Sequence, residues 1–166
     1  MTSALPQTLF TVQALRAVAA CAVLVHHVLF MLVHNAGYSF DVSSIGASGV
    51  DLFFVISGFI MVYTSYSSFG KPKASISFVR RRAIRIAPIY WIYTTAVVLL
   101  LAFAPGLFSE TRFDWNHVIS SYLFLLSENT AGQVGTVMQT GWTLCFEVYF
   151  YLLFAVLLNL PRRFFL

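Results

Sequence analysis

Apolar residues run through this chain in long blocks separated by short polar stretches. The first block runs roughly from Leu9 to Val33, the second from about Gly49 to Tyr66, the third ends near Ala104 and Pro105, and the last runs from Trp142 to Leu160. These lengths suit the roughly 20 residues with which an α-helix crosses a bilayer. A Gly- and Ser-containing connector from His34 to Ser48 joins the first two blocks. Beyond the second lies a basic loop. Its last part, Ser77 to Arg85, reads as an interfacial helix, and Pro88 suits the first turn of the third span. The stretch from His117 to Leu126 is apolar but only about half the length of a spanning helix, so it is re-entrant or interfacial. A polar, glycine-containing stretch from Ser127 to Gly141 precedes the last block. The pattern predicts an all-α fold, a polytopic membrane helix bundle of about four or five membrane segments. Spans are expected near residues 9–33, 49–66, 86–104 and 142–160, with the short apolar segment at 117–126.

Composition points to the same solvent. Of 166 residues, 59% are hydrophobic, 17% aromatic and only 10% charged, against about a quarter charged in soluble domains. One soluble core cannot absorb so many spanning-length blocks. Charge then orients them. Net charge is +4, six of the ten Lys and Arg residues lie between Lys71 and Arg85, and no acidic residue occurs from Leu52 to Ser109. The cytoplasmic bias of Lys and Arg accounts for this cluster without a nucleic-acid partner. With that loop inside, the first span runs outward, the second returns and the third runs outward again. If the short segment does not cross, the last span runs inward and brings Arg162 and Arg163 to the same side as the loop, which is the preferred arrangement. Cys21 and Cys145 fall inside apolar blocks and read as small buried residues rather than a disulfide framework. No basic region precedes the first block and no convincing cleavage site follows it, so it reads as a retained span.

Ionisable groups inside apolar spans cost several kcal/mol, by order of magnitude, and are functional candidates by default. Here these are Arg16, His27, Asp51 and Glu147. Eleven residues separate Arg16 from His27, so their side chains point within about 20° of one another, about 16 Å apart along the axis, while His26 points some 80° away from Arg16. Arg16 then sits toward the cytoplasmic end of the first helix and His27 toward its outer half. The plain alternative is that Arg16 snorkels to phosphates and His27 hydrogen-bonds a neighbouring helix. Glu147 enters the last span about 7.5 Å below its outer edge and His27 lies about 9 Å below the end of the first, which allows a shared layer. Tyr151 follows Glu147 one turn on, on the same face. A carboxylate beside a histidine holds its tautomer and stabilises the imidazolium when the ring takes a proton from a hydroxyl. Asp51, near the outer end of the second span, is equally placed for that part, unless it caps a helix, and Glu147 also suits a plain interhelical hydrogen bond. Ser57, Gly58 and Phe59 read as helix packing rather than a nucleophile. Arg80, Arg81, Arg82 and Arg85 offer fixed guanidinium groups to phosphates, from a nucleotide-bearing donor or from anionic lipid. His26, His27 and His34 make no zinc pattern on one helical face.

Four blocks carry a resemblance to a known family: VQALRAVAACAVLVHH (Val12 to His27), GVDLFFVISGF (Gly49 to Phe59), FVRRRAIRIAPIYW (Phe78 to Trp91) and GWTLCFEVYFY (Gly141 to Tyr151). In order and wording they resemble the integral-membrane acyltransferase-3 proteins, and the last block is most similar to the branch that acylates bacterial exopolysaccharides. The resemblance implies that residues 1–166 are the N-terminal part of a single membrane acyltransferase domain, since family members typically contain about ten spans. It implies transfer of an acyl group, acetyl or sometimes succinyl, from cytoplasmic acyl-CoA to a sugar hydroxyl. That acceptor belongs to a lipid-linked or exported glycan, in the bacterial inner membrane and in association with polysaccharide export machinery. Acyl-CoA is then a substrate, with no bound cofactor or metal. By motif, Arg16 and His27 match the family's essential pair, Arg82 and Arg85 its basic motif, and Glu147 the carboxylate of the tryptophan-containing block. The expected catalytic group is therefore His27 with Glu147 or Asp51, and the expected substrate-binding group is Arg16, Arg82, Arg85, Trp142 and Tyr151. Two other readings stand beside it: a glycan or lipid transporter whose polar face is a translocation path, and an inactive truncated acyltransferase.

Overall fold

The computed structural model describes residues 10–36, 45–108 and 112–161, with side chains at all of these except 31, 34–36 and 45–47. Most of the His34 to Ser48 connector and the pair Arg162 and Arg163 lie outside the described residues or side chains. Five helices carry the fold: α1 (Phe10–Ala36), α2 (Ile45–Ser65), α3 (Ala74–Phe103), α4 (Trp115–Tyr122) and α5 (Trp142–Leu157). The strands are short. Ser127–Glu128 (β1) and Val134–Gly135 (β2) pair antiparallel, with Ser127 opposite Gly135 and Glu128 opposite Val134. The described chain is thus all-α, and four of its helices are long and apolar enough to cross a membrane, over Phe10–Phe30, Ser48–Ser68, Ala74–Phe103 and Gln139–Leu157.

The chain divides into two compact units, Met1–Tyr66 and Ser67–Leu166. In the first, α1 packs on α2. Gly49 sits where a Cβ would stand 3.1 Å from the Ala19 carbonyl oxygen and 3.2 Å from the Ala22 Cβ. The missing side chain lets the two backbones approach, the usual solution where apolar helices must pack without help from water. Ala19 is fully buried at this crossing.

In the second unit α3 and α5 run antiparallel. At one end the Phe78 ring meets Tyr151 and Phe154, with centroids 5.9 and 5.1 Å away. At the other, Tyr90 clusters with Cys145. The turn before α3 and the first turn of α3 are tied to the end of α5 by the Gly70 N–H donating to the Leu158 carbonyl (2.9 Å) and by Ser75 Oγ donating to Asn159 Oδ1 (3.1 Å). Lys71 and Pro161 therefore lie at the same end of the pair.

Two boundaries differ from the sequence reading. The basic stretch and the third apolar block form one helix from Ala74, with Pro88 in its interior rather than its first turn. Pro88 lacks an N–H for the Ile84 carbonyl, a loss that membrane helices tolerate where neighbours take up the freed group. In addition, α2 begins at Ile45, so Asp51 stands inside the helix and caps nothing.

Helix α4 has eight residues, about 12 Å of rise against a hydrocarbon core of about 30 Å, so it does not cross. Asp114 caps it, Oδ2 accepting from the His117 N–H at 2.8 Å. The segment then descends beside α3. Val118 clusters with Leu101, the Tyr122 carbonyl accepts from Trp91 Nε1 at 3.0 Å, and Phe124 stacks on Tyr90 with centroids 4.5 Å apart. From Leu101 to Tyr90 is about 16 Å along the helix. At Phe124 the backbone takes a left-handed turn (φ 58°), uncommon for a bulky residue, and the chain returns. Ser127 Oγ reaches His117 Nδ1 at 2.8 Å, and Val137 rejoins the Leu101 cluster. The path thus turns back at Phe124 and returns to the level of Leu101.

Candidate functional site

In α1 the half-buried positions include Val12, Arg16, Val23 and His26, around the buried Ala19. Arg16 therefore lies on the edge of the stripe that faces α2. His27, close to Arg16 in helical angle, lies beyond that edge and is exposed, with its ring edge-on to His26 at 5.7 Å. His26, and not His27, sits in the packed stripe. Asp51 is exposed on the second turn of α2. The first unit thus carries three charged or titratable candidates on or beside the outward surface of a helix pair. Of the two cysteines, Cys145 is buried as expected, whereas Cys21 lies exposed on α1.

The second unit brings three candidates into contact. Tyr151 donates its hydroxyl to Glu147 Oε1, one turn earlier on α5. Across the seam, the Arg82 guanidinium carbon stands 5.2 Å from the centroid of the Tyr151 ring and 5.4 Å from that of Phe78, both within the range of a cation–π contact. Arg85 lies within electrostatic reach of the Tyr151 hydroxyl. The four arginines are not equivalent: Arg82 is half-buried in the seam, while Arg80, Arg81 and Arg85 are exposed. Trp142 is apart from this group, exposed in the first turn of α5 with Phe146 edge-on to it at 6.0 Å.

Above this cluster lies a polar layer that the sequence did not announce. Tyr90, buried, donates to the Ser121 carbonyl at 3.0 Å. Ser121 Oγ donates to the His117 carbonyl at 2.7 Å and accepts from the Val137 N–H at 2.9 Å. His117 is only 3% exposed. Burial pulls its imidazole below the ordinary value of 6.5, against the opposing pull of a hydrogen bond to the Thr136 backbone and of the Asp114 charge. No local pattern marks His117, Ser121 or Ser127, because their partners are brought in by the return of the chain at Phe124. Among the described residues no three His, Cys, Asp or Glu side chains are grouped to hold a metal ion.

Four helices long and apolar enough to span a bilayer define a polytopic membrane protein. Residues 10–166 match the family model described as an acyltransferase domain, and the chain belongs to this integral-membrane acyltransferase-3 family. It is 40% identical over 136 residues to the exopolysaccharide production protein ExoZ of Rhizobium meliloti (strain 1021), covering 81% of this chain and 40% of that protein. It is 28% identical over 167 residues to nodulation protein 10 of Rhizobium leguminosarum bv. viciae, covering 90% of this chain and 44% of that one. The chain thus spans less than half the length of these curated relatives. No solved structure matches it.

Proposed function

We propose that this chain forms part of a membrane O-acyltransferase that moves an acyl group from acyl-CoA to a hydroxyl of an exopolysaccharide or lipid-linked glycan in the bacterial inner membrane. Acetyl is the first choice of acyl group and succinyl the second. The observation that carries the reading is family membership along residues 10–166, and the likeness to a protein named for exopolysaccharide production supports the choice of acceptor.

In this reading His27 is the general base. The acceptor oxygen attacks the thioester carbonyl carbon while the imidazole takes its proton. A C–O bond forms, the C–S bond breaks, and the imidazolium returns the proton to the departing thiolate. Glu147 or Asp51 orients the ring and stabilises its charged form. Arg16 and the pair Arg82 and Arg85 hold the donor's phosphates or its thioester, which suits guanidinium groups with fixed charge and planar donors. Trp142 and Tyr151 line the substrate path, and the glycan passes onward to the export machinery.

The test is acyl transfer in membranes by the full-length protein with His27→Ala, at matched expression. Loss of a general base lowers turnover by about 10²–10⁴-fold. Undiminished transfer removes His27 from the mechanism, and glycan flux without transfer from acyl-CoA in the unaltered protein replaces the enzyme by a transporter.

A further inference from the structure

Arg82 is the one arginine of the basic stretch drawn into the helix seam, and it is held there by rings. Phe78 lies one turn before it on α3 and is 2% exposed; Tyr151, on α5, is 6% exposed. Their centroids stand at 5.4 and 5.2 Å from the guanidinium carbon, and the two rings meet each other edge-on, 90° apart. The Tyr151 hydroxyl is given to Glu147. Two pairs spaced one helical turn apart, Phe78 with Arg82 and Glu147 with Tyr151, thus interlock across an antiparallel seam. Such spacing places each pair on one face of its helix.

An arginine that only sets topology or meets lipid needs none of this. It extends its stem along the apolar surface and leaves its head in the interface, as the exposed position of Arg80 allows. A guanidinium held against two aromatic rings has its position fixed on that side, and its remaining N–H donors suit the oxygens of a phosphate.

We propose that Phe78 and Tyr151 are positioning residues: they hold the Arg82 guanidinium against their two rings, with Tyr151 anchored by Glu147, so that Arg82 turns its N–H donors to a phosphate of the acyl donor. The proposal rests on the acyltransferase reading. It assigns Glu147 a part in anchoring the donor-binding arginine through Tyr151, and Phe78 a part that no motif gives it.

The experiment uses the full-length protein in vesicles, once with phosphatidylcholine alone and once with phosphatidylglycerol added. It measures kcat, the KM for acetyl-CoA, and the inhibition constant for the nucleotide part of CoA alone. Phe78→Leu is expected to raise both KM and the inhibition constant about tenfold, as loss of a partly desolvated cation–π contact implies, with kcat within about twofold, and Tyr151→Leu to raise the inhibition constant by about the same factor. Tyr151→Phe, which keeps the ring and loses the anchor, gives a smaller rise. Arg82→Lys matches Tyr151→Leu, and combining the two adds little, because the clamp then has nothing to orient.

A loss of kcat or of active protein with an unmoved inhibition constant makes these rings merely structural and overturns the proposal. So does a defect seen only with phosphatidylglycerol, which assigns Arg82 to a lipid headgroup. Should the Leu variants not fold, Tyr151→Phe and Arg82→Lys carry the same comparison. Absence of transfer by the unaltered protein rejects the acyltransferase reading itself, whereas normal transfer with unmoved constants rejects only the clamp.

Discussion

Gly141 has room for a hydrogen and nothing more. A Cβ there would stand 2.7 Å from Thr136 Oγ1 and 2.9 Å from Tyr90 Cε2, and both neighbours are buried. Gly141→Ala is expected to destabilise the protein by about 1–3 kcal/mol through overpacking, read as a lower thermal midpoint in detergent. Gly135→Ala, where nothing lies within 4 Å, is the neutral control. His117 gives a pH dependence whose sign follows from burial. Its folded value is lowered from 6.5, so below the unfolded value the unfolded chain binds the proton more readily. Its contribution to stability is full above that value and is lost as pH falls toward the depressed one. The thermal midpoint should drop as pH falls below the unfolded value of 6.5, and His117→Gln should flatten that slope. A slope unchanged by the substitution would assign the effect elsewhere. At this scale the sequence was partly legible. Helical periodicity placed Glu147 and Tyr151 on one face, and the structure joins them. It also put Arg16 and His27 near one another in angle, but not which side of that angle α2 would take, so His26 rather than His27 occupies the packed stripe. Phe78, Tyr90 and His117 were silent because their roles depend on partners at least ten residues away along the chain.

Helices α3 and α5 are antiparallel, and the short segment between them returns to the end from which it left. Lys71 and the β1–β2 hairpin therefore lie at opposite ends of α3. With Cys21 and Cys145 replaced by Ala, Lys71→Cys and Val134→Cys should react with a membrane-impermeant thiol reagent from opposite sides, the second in intact cells and the first only after permeabilisation. Labelling of both from one side would overturn the pairing. The apolar blocks were legible because length and hydropathy are local properties that lipid enforces. Their joins were not. Pro88 looks like a helix start in isolation, yet the helix runs through it from Ala74. Asp51 looks like a cap, yet Ile45–Val50 continue the helix behind it. How far the segment runs along α3 before turning back is set by Phe124 against Tyr90, a contact between residues of different blocks.

Across the whole molecule, the long helices turn large apolar side chains outward: Leu153 on α5 is 60% exposed and Ile92 on α3 is 67% exposed. Surroundings as apolar as these residues follow, whether lipid or further helices. Leu153→Lys or Ile92→Lys should cost about 2.5–3.5 kcal/mol of insertion free energy and deplete the protein from the membrane fraction. Ala131→Lys, exposed in the hairpin turn, should leave the yield unchanged, and equal yields for all three would argue against a bilayer around α3 and α5. The four ordered blocks made the family readable from residues alone, because they hold the ionisable groups that an apolar helix keeps only for a purpose. The return of the chain over residues 115–141 bears on topology as well. A segment that turns back at Phe124 to the end of α3 from which it came does not alter the parity of crossings. Any polypeptide that follows Leu157 then emerges on the same side as Lys71, and a single substitution that straightened the bend at Phe124 would threaten to invert everything downstream.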